Sequence, residues 1–437
     1  MLDTCLAKKK IKENISRFIK WRRAFHEIPE LGMEEHKTTD MICGLLKEMD
    51  ICPRRLEPTG VTAYIGPEQS DTIALRADID GLKVLEETGL PFCSKHPGLM
   101  HACGHDGHIA GLLGAAYILK EMEDLLTVRV KLIFQPSEEN TLGAKKMIAQ
   151  GVLDDVDAIF GLHLFSDMDT GLISLEAGPR MAQTDRFFLT FHGKGGHAGK
   201  PHQCVDATVM AADFVMSLQT IVAREIDPLE GAVVTVGSFH SGSQYNIISG
   251  EARIEGTCRS FSAETAKKLK EAVEKRAEAV AGYYGGSVTV SYDFGSHPPV
   301  WNEPELTGQI VRGMEQWFAA AGRSCGPETK TCRETESEES MFDSFYLAHI
   351  PPLMLGEDFS WYQTRVPGAF AFVGCGGPKQ EVCYPNHHPR FDVDENALFA
   401  AAALHVAAVQ AAMERKESAR EVLQKSQKAK PSGREKI

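Results

Sequence analysis

The sequence lacks an apolar leader. Met1-Leu2-Asp3-Thr4-Cys5 runs into Lys8-Lys9-Lys10 with no hydrophobic stretch of signal-peptide length, and no later run reads as long and apolar enough to span a bilayer. Positive charge is in deficit: 47 Lys and Arg face 60 Asp and Glu, a formal net charge of −13. That argues against nucleic acid as a partner, since phosphate binding depends on clustered Lys and Arg. Regular cysteine spacing is missing as well. Eleven cysteines, an odd number at irregular intervals in 437 residues, do not form a disulfide framework and read as reduced thiols. These absences predict a cytoplasmic protein with neither membrane nor nucleic acid as partner, and a small molecule as ligand.

What is present is length and alternation. A chain of 437 residues with 43% hydrophobic content predicts two or three domains with a sizeable core. Apolar runs at Ile73–Arg76, Val128–Phe134 and Ala158–His163 read as buried strands separated by helical patterns such as Ile109–Glu123. The expected fold class is α/β, a mostly parallel sheet covered by helices on both faces. From Thr184 the order becomes β-α-β-β-α-β, that of a ferredoxin-like unit, and predicts an inserted α+β domain over 184–296. The first domain then covers 1–183 and resumes over 297–415, with a polar surface excursion at Gly322–Ser340. The charged segment 416–437 reads as a disordered tail.

Four stretches carry chemistry: Met100-His101-Ala102-Cys103-Gly104-His105-Asp106-Gly107-His108, Gln135-Pro136-Ser137-Glu138-Glu139, His163 in Gly161-Leu162-His163-Leu164, and Asn386-His387-His388-Pro389. They supply thiolate, imidazole and carboxylate, a mixture suited to one or two zinc-like ions. A cysteine nucleophile paired with His105 would leave the other three stretches unexplained, whereas metal ligation accounts for all four. Glu138 and Glu139 can divide two tasks, one holding metal and the other taking a proton from the attacking water. In a parallel sheet, ligands sit beyond the carboxyl ends of strands. Asp78 and Asp80 follow the first run, the Glu pair follows the second and His163 closes the third. One of the two aspartates orients a ligand histidine. In the inserted domain, Gly193-Lys194-Gly195-Gly196-His197-Ala198-Gly199 has no P-loop ending. There, His197 reads as a hydrogen-bond donor to a substrate oxygen.

Taken with Arg76-Ala77-Asp78-Ile79-Asp80, Gly196-His197-Ala198 and His387-His388-Pro389-Arg390-Phe391, these motifs resemble the M20 metallopeptidase family from about Trp21 to Met413. More narrowly, they resemble its amidohydrolase branch, which includes N-acyl-amino-acid amidohydrolases, hippurate hydrolases and plant auxin-conjugate hydrolases. The resemblance implies a metallohydrolase domain with an inserted lid and dimerisation domain. It also implies two divalent ions (Zn2+, Mn2+ or Co2+) held by Cys103, His105, Glu139, His163 and His387, with Glu138 as general base. Asp78 matches the catalytic Asp of the family's His-x-Asp motif, with Arg76 at the His position and His105 supplying the imidazole. His197 would stabilise the oxyanion, in its own or a partner's site, and Asn246 would contact the substrate carboxylate or oxyanion. A homodimer through the inserted domain and an N-acyl amino acid substrate follow.

Two departures bear on the pocket rather than the ligands. Asn140-Thr141-Leu142-Gly143 stands where relatives carry several glycines, and Asn246-Ile247-Ile248-Ser249 where they carry Asn-Val-Ile-Pro. Besides hydrolysis of the N-acyl bond, the motifs admit a dipeptidase or aminopeptidase at the same centre, or a metal-stabilised binding protein. A spare base beside a full ligand set speaks against the last.

Overall fold

The computed structural model describes residues 2–319, 345–376 and 384–428. The excursion expected at 322–340, the end of the charged tail (429–437), Cys325, Cys332 and Cys383 lie outside them. The chain divides into two compact units, one of Met1–Gly178, Trp301–Ile350 and Trp361–Ile437, the other of Pro179–Val300 and Pro351–Ser360.

The first unit is built on an eight-stranded sheet. Its order is Pro53–Arg55, Val61–Ile65, Arg129–Gln135, Thr72–Asp78, Ala158–Asp169, Gly368–Gly376, Leu172–Ser174 and Tyr346–Leu347. The central pairs are parallel, while antiparallel pairs lie toward the edges. Every residue of Thr72–Asp78 and of Gly368–Gly376 is buried, as expected for strands covered on both sides. The Gly368–Gly376 strand escapes the sequence reading, because double burial removes the polar alternation that betrays a strand and its glycines and alanines mute the β signal.

Helices Thr4–His26, His105–Glu121, Pro304–Ala319 and Ala397–Lys428 pack on one another. The approach of the second to the fourth is close. A Cβ added at Gly111 would come within 2.7 Å of the Ala401 Cβ, so small residues set the separation of these two helices. The Ala397–Lys416 stretch is, contrary to the reading that no run is long and apolar enough to cross a membrane, long and apolar enough by composition. Its alanines serve the interior instead, and most of the stretch is buried. The helix also continues to Lys428, past the start of the charged segment read as disordered. Glu, Lys, Arg, Gln and Ala there are strong helix formers.

The second unit has four antiparallel strands, Gln183–His192, Ala232–Ser241, Glu251–Ser260 and Ser287–His297. Numbered along the chain, they stand in the order 2-3-1-4, the ferredoxin-like arrangement. Helices Ala207–Arg224 and Ala263–Tyr283 are capped by Asp206 and Ser262, whose side chains accept Thr208 and Thr265 backbone N–H groups. Ala252, Ile254 and Cys258 point into a core with Phe187, Phe191 and Phe214, while Glu251, Arg253 and Glu255 point out. The segment expected over 184–296 lies within this unit. Pro351–Ser360 joins it because Leu353 and Leu355 carbonyls both accept the Ala182 N–H.

Candidate metal centre

The first unit brings six of the predicted residues together. Cys103 and His105 flank Gly104, whose φ of 87° is the left-handed turn that starts helix His105–Glu121. Glu138 and Glu139 lie just beyond strand Arg129–Gln135. His163 is inside strand Ala158–Asp169 opposite Phe372, not at its end as the sequence suggested. The strand runs on because its later residues keep pairing with Gly368–Gly376. His387, at φ 72°, enters from a loop anchored by its own N–H on the Ala102 carbonyl at 2.7 Å.

The Cys103 Sγ lies 3.3 Å from His163 Nε2 and 3.3 Å from His387 Nε2. Glu139 Oε1 is 3.3 Å from His387 Nε2 and 3.9 Å from His105 Nε2. Donor atoms lie within 4.8 Å of one another in Cys103–His105–His163, in Cys103–Glu139–His387, in His105–Glu138–Glu139 and in Asp78–His105–His108. Cys103 belongs to the first two.

The tautomers aim lone pairs inward. His163 Nδ1–H donates to the Leu164 carbonyl at 2.9 Å, which leaves Nε2 as the acceptor facing Cys103. His105 Nδ1 is held by the Asp80 carbonyl at 2.9 Å and carboxylate at 3.2 Å. Among the described residues its buried Nε2 has no hydrogen-bond partner, and the Oε1 of Glu139 has only the 3.3 Å ion-pair contact with His387. A buried imidazole nitrogen and carboxylate oxygen left this poorly satisfied demand a compensating group, and a divalent cation is one that imidazole, carboxylate and thiolate can share. The donor set therefore fits two metal ions.

Electrostatics agree. Burial disfavours a charged ring at His105, yet Asp78, Asp80 and Glu139 push it up to about 10. The field that holds that proton also attracts a metal cation in its place. Burial lifts the Cys103 thiol well above its ordinary value, with Glu139 and Glu138 adding to the effect, so the thiolate needs a cation beside it. At Glu139 burial is outweighed by His387 and His105, which keep its carboxyl below the usual value. Burial keeps His163 well below an ordinary histidine, hence neutral.

The two aspartates have different partners. Asp80 Oδ1 faces His105 while its Oδ2 accepts the Glu139 N–H at 3.1 Å, tying two predicted ligands to one carboxylate. Asp78 accepts from Arg76 at 2.8 Å and from His108 Nδ1 at 2.5 Å, and its Oδ2 stands 3.7 Å from His105 Nε2. His108 received no role in the sequence reading. Its Nε2 accepts the Leu164 N–H at 2.9 Å, so both nitrogens are engaged and it braces Asp78. Its spacing three residues after His105, on the same helix face, was the available signal. Asn386 was also passed over: its amide donates to the Cys103 and Leu164 carbonyls at 3.2 Å each, joining the Cys103 loop to the His163 strand.

Beside the centre lies a buried ionic network. Asp106 Oδ2 accepts from Arg22 Nε at 2.7 Å and His26 Nδ1 at 2.8 Å, and Glu86 reaches His26 Nε2 at 3.3 Å.

His197 and Asn246 belong to the second unit. Strand Gly196–His197 pairs with Ile247–Ile248, and Ala198 N–H donates to the Asn246 carbonyl at 3.1 Å. His197 Nδ1 accepts the Gly199 N–H at 3.0 Å, which places the ring proton on Nε2, where it can be donated.

A sheet of this topology with thiolate, imidazole and paired carboxylates gathered off its strands defines a metal-dependent amide-bond hydrolase. Residues 74–411 match the family model for peptidase family M20/M25/M40. The chain belongs to that family and, within it, to the amidohydrolase branch. It is 40% identical to N-acetyl-L-cysteine deacetylase of Bacillus subtilis (strain 168), over 87% of this chain and 84% of that one. With IAA-amino acid hydrolase ILR1-like 4 of Arabidopsis thaliana it shares 37% identity over 88% of this chain and 83% of the other. The crystal structure of the Bacillus subtilis YXEP protein, a dinuclear metal binding peptidase from the M20 family, superimposes with a TM-score of 0.76 at 33% identity. It covers 92% of this chain and 99% of its own.

Proposed function

We propose that the protein hydrolyses the amide bond of N-acyl amino acids, releasing a carboxylic acid and a free amino acid. Cys103, His105, Glu139, His163 and His387 hold the metal ions, and Glu138 is the general base. The observation that carries the reading is the adjacency of two carboxylates in one donor cluster: Glu139 faces His105 and His387, and Glu138 remains within 4.8 Å of Glu139 and His105. Bound there, two divalent cations supply Lewis-acid polarisation of the amide carbonyl and acidify water at neutral pH. Glu138 takes the proton of the attacking water and returns it to the leaving nitrogen. Asp78, fixed by Arg76 and His108, sets the negative field around His105.

The His197 Nε2–H donates to the developing oxyanion, in the same protomer or its partner, and Asn246 binds the substrate carboxylate. Mixed sulfur, nitrogen and oxygen donors suit Zn2+, Mn2+ or Co2+. A cytoplasmic homodimer formed through the second unit completes the proposal, with size-exclusion chromatography as its check.

Glu138→Gln tests the assignment. Metal content stays near that of the parent, while kcat falls by about 10²–10⁴-fold, the usual share of a general base; full activity in this variant removes Glu138 from that role. A panel of N-acetyl, N-benzoyl and dipeptide substrates separates acyl hydrolysis from dipeptidase action.

A further inference from the structure

The loop that presents Glu138 and Glu139 rests on a buried carboxylate with no place in the reaction described above. Glu35, just ahead of helix His36–Glu48, is fully buried. Its Oε1 accepts the Ser137 backbone N–H at 2.8 Å and its Oε2 accepts the Thr59 hydroxyl at 2.6 Å. Ser137 precedes the carboxylate pair and holds φ at 53°, a left-handed conformation unfavourable for any residue with a Cβ. A conformation of this kind persists where surrounding contacts impose it. The segment leading to Glu35 presses on the same residue, since a Cβ added at Gly32 would meet Ser137 Oγ at 2.5 Å and its Cα at 2.9 Å. On the far side, the Ser137 carbonyl accepts Leu142 and Gly143 N–H groups at 3.3 and 3.1 Å, and Thr141 N–H bonds the Glu138 carbonyl at 2.7 Å. The turn is thus closed on itself, and two carboxylates tie it to the rest of the unit, Asp80 at the Glu139 N–H and Glu35 at the Ser137 N–H where the left-handed residue sits.

We propose that Glu35 is a positioning residue: by holding the Ser137 N–H, it fixes the left-handed turn that delivers Glu138 and Glu139 to the donor cluster. This rests on the roles assigned to those two residues above. Burial, with Asp80 adding to it, raises the Glu35 carboxyl to about 7 against the opposing hydrogen bonds. Protonation leaves the tie intact, because a carboxyl group can accept from Ser137 while donating to Thr59. Glutamine reproduces that pattern; alanine abolishes it.

The test compares Glu35→Gln and Glu35→Ala in the full chain loaded with cobalt, reading the visible absorption of the bound ion, kcat and KM separately, and the melting transition. Expected are a parent-like spectrum and kcat within about threefold for Glu35→Gln. A cooperatively folded Glu35→Ala should show a shifted spectrum and a kcat lowered by about 10–100-fold at little-changed KM, the usual effect of removing a group that orients ligands. A parent-like spectrum and kcat in Glu35→Ala overturn the proposal, as does a Glu35→Gln defect equal to that of Glu35→Ala. Should the alanine variant not fold, Glu35→Asp, which withdraws the carboxyl by one methylene, gives the same reading: a shifted spectrum and lowered kcat support it, unchanged ones overturn it. Glu139→Gln keeps the two levels apart. If it leaves the cobalt spectrum unchanged, the ligand assignment fails; if it shifts the spectrum and Glu35→Ala does not, the failure belongs to Glu35 alone.

Discussion

Asp80 holds His105 by the nitrogen that faces away from the proposed metals, at 3.2 Å from Nδ1, and with its other oxygen holds the backbone of Glu139. One side chain thereby sets the direction of two proposed ligands. Asp80→Ala should weaken metal binding by about 10–100-fold, measured by competition with a chromogenic chelator. Unchanged affinity would show that the Asp80 carbonyl, 2.9 Å from the same nitrogen, is enough to orient the ring.

Removal of metal should destabilise the protein. Asp78, Asp80, Glu138 and Glu139 crowd the cluster with the Cys103 thiol, and a cation that binds only the folded state adds about 2.7 kcal/mol at a hundred times its Kd. Dialysis against a chelator should lower Tm, with recovery on adding back Zn2+, Mn2+ or Co2+. Cys103→Ala, which removes the donor shared by two of the groups, should lower metal content and make Tm insensitive to the chelator. A chelator-dependent Tm in that variant argues against the shared role.

His26 supplies a pH signature of its own. Burial works against its charge, but Asp106 and Glu86 outweigh it and raise His26 to about 9, from an ordinary 6.5. A group whose folded-state pKa is raised contributes stability that is fully present below its unfolded value and is lost as pH climbs through the folded one. Denaturant stability should therefore decline between about pH 6.5 and 9, and His26→Gln should flatten that slope whatever its effect on absolute stability. An identical slope in the variant would assign the decline to other groups.

The cluster was legible in the sequence because its chemistry allows few residue types, and Cys103, His105, the Glu pair, His163 and His387 declare themselves by kind. What holds them was harder to read. Asp78 and Asp80 look alike as sequence, and only the fold gives one to His108 and the other to His105. Arg22 and His26 close the Thr4–His26 helix, and both are buried against Asp106; long-range pairing of charges leaves no local trace. Glu35 had the same camouflage, in an acidic stretch that resembles solvated chain. The parallel sheet and the ferredoxin-like order were visible in the alternation of elements. The Gly368–Gly376 strand was not, since burial on both faces erased its pattern.

The spacing of the proposed ligands has a consequence for biosynthesis. A nascent chain that has already emerged with Cys103, His105, Glu139 and His163 still awaits His387, 284 positions beyond Cys103. The Gly368–Gly376 strand that pairs with the His163 strand emerges equally late. The proposed donor set is accordingly complete only once His387 and that strand have emerged, and a translation product ending before His387 would lack one of the proposed ligands.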